Sequence, residues 1–126
     1  MTSSREPAEA LIVTGSVYDP PDEPYPRVLV MRRWPRGVAK GAVDQWERLL
    51  GPSDALLDAY RTDGMSWDQF ATAYDAEMGG RDELIGWLAR MAIGTGVTLL
   101  CGSHQPCHRD LLAELIRRHV ASRDGA

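Results

Sequence analysis

The chain has 126 residues, 44% of them hydrophobic and 25% charged, with a formal net charge of −4. This size and balance fit one globular domain with one core, and the negative charge speaks against a general nucleic-acid binder, whose footprint is basic. Met1 to Pro7 offers no apolar stretch for a secretory signal, no apolar run approaches the ~20 residues of a membrane span, and two cysteines in such a chain point to a reducing cytoplasm with thiols rather than a structural disulfide.

Residues 1–8 are polar and proline-containing and read as a disordered leader. Ala10 to Thr14 is β-branched-rich and predicts a first strand. Asp19 to Pro26 holds four prolines in eight residues, which forbids regular structure and predicts an exposed loop. Arg27 to Met31 predicts a second strand, apolar on both faces and therefore central. Arg32 to Gly37 leaves its carboxyl end, and Val43 to Leu50 fits either a short strand or a helical turn.

Helices dominate the middle of the chain. Pro52-Ser53 opens one, with Ser53 as N-cap and Leu56, Leu57 and Tyr60 on one face. Ser66-Trp-Asp-Gln69 has the pattern of a capping box, and that helix carries Phe70, Ala73 and Tyr74 and stops at Gly79-Gly80. A third runs from Arg81 to Ile93, with Leu84, Ile85, Leu88 and Met91 at helical spacing. Val97 to Cys101 predicts the last strand. A final helix from Cys107 to Ser122 buries Leu111, Leu112, Leu115, Ile116 and Val120. Residues 9–122 thus form one small α/β domain with a mostly parallel, Rossmann-like sheet flanked by helices, followed by a tail over 123–126.

In such sheets ligands gather outside the carboxyl ends of the strands. Two segments leave those ends: the basic Arg32–Gly37 and the loop Cys101–Arg109. The window from Arg27 to Arg48 carries a net +4, against −8 for the remainder. Arginine forks suit phosphate and carboxylate, so Arg32, Arg36 and Arg109, with Trp34 beside them, are candidate ligands for a small anion. The same window, with Trp34 and Trp46, is an alternative nucleic-acid surface, though no reading helix or RNP motif accompanies it.

The segment Cys101-Gly-Ser-His-Gln-Pro-Cys-His-Arg109 concentrates the chemistry. A strand that hands over to a helix brings backbone N–H groups and a positive helix end to one point, where thiols deprotonate most easily. Cys101 and Cys107 are candidate nucleophiles, or a redox pair if the loop folds back. Cys107, at the helix start beside His108 and Arg109, is the thiol expected to ionise first. His108 or His104 is the candidate base or ligand. The pattern of protein phosphatases, a cysteine and an arginine with five residues between them, is not matched, because seven residues lie between Cys101 and Arg109. His104, Cys107 and His108 are candidate metal ligands, and a haem held by one Cys or His is a further reading. The spacing is that of neither common zinc pairs nor covalent haem attachment. His119 lies far along the last helix and reads as structural.

Val17-Tyr-Asp-Pro-Pro21, Arg27-Val-Leu-Val-Met-Arg-Arg-Trp-Pro-Arg-Gly37, Gln45-Trp-Glu-Arg-Leu-Leu-Gly-Pro-Ser53 and Cys107-His-Arg109 together resemble the domain of unknown function 488 family, also called YeaO-like, over residues 11 to 118. The resemblance implies a small α/β domain with a Rossmann-like sheet, and it implies no activity. The chain departs from the YeaO-like branch at Met31, where that branch carries an acid, and its Cys…Cys-His-Arg ending looks like the other branch.

Overall fold

The computed structural model describes residues 10–21, 23–102 and 107–125, with side chains as far as Ser122. The leader expected over residues 1–8 and the candidate ligand His104 lie outside the described residues. Four strands form one all-parallel sheet: β1 (Ile12–Ser16), β2 (Arg27–Leu29), β3 (Gln45–Trp46) and β4 (Val97–Cys101). Their order is β1-β4-β2-β3, so the last strand enters between the first two.

β4 is buried at every position. A central parallel strand needs apolar residues on both faces, and Val-Thr-Leu-Leu-Cys meets that need. It pairs with β1 from Ile12↔Val97 to Ser16↔Cys101, and with β2 from Arg27↔Thr98 to Leu29↔Leu100. The first strand begins two residues later than the sequence predicts, because the Leu11 N–H donates to the Ala92 carbonyl (3.0 Å) instead of to β4. The second strand ends at Leu29, though the Val30 N–H still reaches the Leu100 carbonyl at 3.0 Å.

The helices are α1 (Asp54–Thr62), α2 (Trp67–Met78), α3 (Asp82–Gly94) and α4 (His108–Gly125). Ser53 caps α1, its hydroxyl accepting the Leu56 N–H at 3.1 Å. Ser66 and Gln69 form both bonds of the capping box on α2, at 3.1 and 2.9 Å. α4 extends three residues beyond the expected Ser122, since Ala121-Ser-Arg-Asp124 contains no helix breaker. Between Val43 and Leu50 the chain takes both of the forms it suggested: the two-residue strand β3 and then a 3₁₀ turn, Arg48–Leu50. No helix among the described residues is long and apolar enough to cross a membrane.

The alternation of side chains across the sheet divides the core. Val28, Val30, Val97 and Leu99 face the helices, packing with Leu56, Phe70, Tyr74, Leu88, Leu112 and Ile116. Leu29 and Leu100 face the other way, where Val17, Trp34, Val38, Val43 and Trp46 close the sheet. Among the described residues that second face is covered by Val17, by the connection between β2 and β3 and by Trp46, with no α-helix over it. Gly96 makes the turn from α3 into β4 at φ +93°, and a Cβ there would stand 2.6 Å from the Tyr25 ring. Only glycine satisfies both demands.

Candidate functional site

The carboxyl ends of β2 and β4, the start of α4 and one face of α1 enclose a cavity of about 410 Å³. Met31, Arg32 and Arg33 come from the end of β2, and Cys101, Cys107 and His108 from the β4–α4 connection. This is the crevice that parallel topology provides, and two of the sequence's candidate segments meet in it.

Both cysteines stand at its inner wall. Cys101 is the last residue of β4 and is buried, while Cys107 is half-buried immediately before α4. Their sulfurs are paired as a disulfide and are not the free thiols expected from composition. Arg109 is 6% exposed, and its Nη1 donates to Cys101 Sγ at 2.6 Å and to Cys107 Sγ at 3.2 Å. One guanidinium nitrogen therefore serves both sulfurs. The Cys107 N–H donates to Asp110 Oδ2 at 3.0 Å, and the Asp110 N–H donates back to the Cys107 carbonyl at 3.0 Å, which fixes the entry into α4. Asp110 Oδ2 lies 4.0 Å from Arg109 Nε.

His108 lines the cavity and its ring Nε2 is hydrogen-bonded to the Val30 carbonyl. A carbonyl only accepts, so Nε2 carries the proton and Nδ1 holds the lone pair of the neutral ring. Burial pushes the His108 pKa down to about 4, against the opposing effect of the Val30 bond, and the Arg109 charge adds to the lowering. The imidazole is thus neutral at physiological pH. Among the described residues no group of three or more His, Cys, Asp and Glu is gathered as a metal would require.

The predicted anion ligands separate in space. Arg32 lines the cavity, with its Nε donating to the Gly51 carbonyl at 3.2 Å. A Cβ on Gly51 would lie 2.6 Å from the Arg32 nitrogen, so the two backbones touch and the loop is held in place. Trp34 does not line the cavity: it packs edge-on to Trp46 at 5.3 Å on the opposite face of the sheet, its indole N–H bonded to the Val38 carbonyl. Arg36 is exposed and does not line it either; its carbonyl accepts the Tyr18 hydroxyl. Trp46 also belongs to that opposite cluster, with Arg48 stacked on its ring at 5.4 Å. The wide basic window is therefore split between two faces.

The sequence reading missed the cavity's other wall. Asp54, Leu57, Asp58 and Arg61 recur at helical spacing and present one face of α1 to the cavity. Of Leu56, Leu57 and Tyr60, which the sequence places on one face, Leu56 is buried while Leu57 is half-buried and lines the cavity. The signal was available in the i, i+3, i+4, i+7 recurrence, although a charged helix face is ordinarily only a solvated one. Asp54 pairs with Arg33 at 3.0 Å, and this bond pushes Arg33 above its ordinary value. His119 lies against Gly86 of α3, where a Cβ would come within 3.5 Å of its Nε2, away from the cavity.

Residues 12–120 match the family DUF488-N3a, described as the active DUF488-N3 subclade. The chain is also 33% identical over 107 residues to the uncharacterized protein YeaO of Escherichia coli (strain K12), an alignment spanning 80% of this chain and 92% of that one. No solved structure matches the chain.

Proposed function

The chain belongs to the DUF488 family, and from that premise we propose that it binds a small anionic molecule and acts on it through a thiolate of the Cys101–Cys107 pair. The observation that carries the reading is Arg109 Nη1 against both sulfurs. Reducing the pair leaves sulfur atoms beside a buried positive charge, and this favours thiolate over thiol. The start of α4 adds its partial positive charge at Cys107. Arg32 and Arg61, on two sides of the same cavity, supply attraction for the ligand's negative group. Neutral His108, its Nε2 proton engaged by Val30, has the Nδ1 lone pair to accept a proton. The description of the matched subclade as active agrees with chemistry at this site, and a cytoplasmic setting is the one in which the pair is available as a dithiol.

The test is alkylation of the reduced protein by iodoacetamide across pH. A thiolate held by Arg109 reacts well below pH ~8.5, the value for an unperturbed cysteine. If both thiols gain reactivity only near or above that pH, the site has no activated nucleophile and the reading falls.

A further inference from the structure

We infer that Cys101 and Cys107 form a catalytic dithiol–disulfide couple that exchanges electrons with small anionic disulfides, Cys107 attacking and Cys101 resolving. The inference rests on the thiolate site proposed above and adds a reaction and a substrate class to it.

The division of labour follows from where each sulfur stands. Cys107 is half-buried, lines the cavity and immediately precedes the helix α4, so its thiolate meets both the helix end and Arg109. Cys101 is 3% exposed at the end of a central strand. Both cysteines line the cavity, but Cys107 is the more exposed of the two, so a ligand disulfide reaches it more readily and the more buried Cys101 is left to attack the adduct. The two sulfurs already pair in the structure, so the resolving step needs no rearrangement of the elements that hold them.

In the first step Cys107 Sγ attacks one sulfur of an external disulfide, RS–SR. The RS–SR bond breaks, RS⁻ departs with the electron pair, and a mixed disulfide Cys107–S–SR forms. In the second step Cys101 gives up its proton and attacks Cys107 Sγ. The second RS⁻ departs and the Cys101–Cys107 bond closes. The protein loses two electrons and two protons, and the external disulfide takes them up as two RSH molecules. A small dithiol reductant running the same steps in reverse restores the pair. Arg109 suits this cycle because Nη1 reaches either sulfur without moving between them.

The substrate class follows from the cavity walls. Arg32, Arg33 and Arg61 line it together with Asp54 and Asp58, and Asp54 is engaged by Arg33. The balance favours a disulfide whose R groups carry carboxylates over one carrying amines.

The probe is 5,5′-dithiobis(2-nitrobenzoate), an anionic disulfide, with cystamine as its cationic counterpart, read by absorbance and intact mass. The reduced parent should release both nitrothiobenzoate groups and retain no adduct. Cys101→Ser should release one group and hold the other on Cys107. Cys107→Ser should react more slowly than the parent by about tenfold or more. With each rate divided by that of a small free thiol reacting with the same probe, which removes the difference in leaving group, the parent should favour the anionic probe over cystamine. Stable adducts on both cysteines of the parent, or no such normalised preference, would overturn the inference. The mass of the parent decides the matter even if Cys101→Ser fails to fold. Persistent double adducts in a protein that still reacts with iodoacetamide at low pH would sink the couple and leave the thiolate site standing. Loss of that low-pH reactivity removes both.

Discussion

His108 and Val30 are joined across 78 positions of sequence by a hydrogen bond between the imidazole Nε2 and the backbone carbonyl. The bond ties the first residue of α4 to the chain just beyond β2. It sets the side of the cavity that carries the sulfurs against the side that carries Arg32. The Tyr74 ring lies tilted against the same imidazole at 5.7 Å, and its hydroxyl donates to the Leu50 carbonyl at 2.7 Å. The cavity's geometry is thus fixed by buried polar contacts from α2 and α4 to two loop carbonyls.

This contact makes stability depend on pH in one direction. His108 titrates near 6.5 when unfolded and at about 4 in the native protein, mainly because it is buried. Between those values the unfolded chain binds more protons. The contribution is therefore full above pH 6.5 and drains away as pH falls to about 4. The shift corresponds to about 3 kcal/mol at most. His108→Gln keeps an amide donor for Val30 but does not titrate there. Urea unfolding of the parent and the variant at neutral pH and near pH ~4.5 should show the parent losing more. Equal losses would mean that His108 is already charged in the native state.

Gly51 provides a test of the loop that carries Arg32. A Cβ there meets the Arg32 backbone nitrogen at 2.6 Å, whereas one on Gly41 meets nothing within 4 Å. Gly51→Ala should cost about 1–3 kcal/mol, the range for overpacking a fixed contact. Gly41→Ala should leave the melting temperature close to the parent's. Similar melting temperatures for both variants would show that the Arg32 loop yields freely.

Much of this arrangement is legible in the sequence because its local signals are strong. Ser53, Ser66 and Gln69 cap the helices that their positions predict, and Val97–Cys101 is a strand over the predicted residues. The parallel sheet follows from element order, and that order brings Arg32 to the cysteines. The fates of Trp34 and Arg36 were less legible. Four residues separate Arg32 from Gly37, and within them the chain turns toward Trp46 and Tyr18. A loop without periodicity gives no rule for which side its residues face. The partnership of Arg109 with both sulfurs was equally hidden, since it depends on how the β4–α4 connection folds back and spacing alone leaves that open.

Arg109 should control thiol reactivity. Replacing it with Leu removes the shared donor from both sulfurs, and alkylation of the reduced protein at neutral pH should fall by about tenfold or more, as expected for loss of a cation beside a thiolate. Arg109→Lys keeps the charge but not the planar fork, and should recover part of the rate. Thermal melts of each variant identify any that lose the fold. A folded Arg109→Leu protein alkylated at the parental rate would make Arg109 a scaffold residue.

The cavity's charge can be assigned to individual arginines by comparing iodoacetate with iodoacetamide, reagents of similar shape that differ by one negative charge. An arginine lining the cavity raises the local concentration of the anion, so the parent should favour iodoacetate more than a free thiol does. Arg32→Gln should lower that preference by about two- to tenfold, because Arg32 lines the cavity with the sulfurs and its charge is partly shielded from solvent. Arg36→Gln should leave the ratio unchanged, since Arg36 is exposed and does not line the cavity. The effect of Arg32 should shrink as salt is raised, because ions screen charges over roughly 10 Å at 0.1 M. A loss of preference in Arg36→Gln equal to that in Arg32→Gln would place the anion on the outer loop. An unchanged ratio in Arg32→Gln would leave Arg61, on the α1 wall, as the cation to replace next.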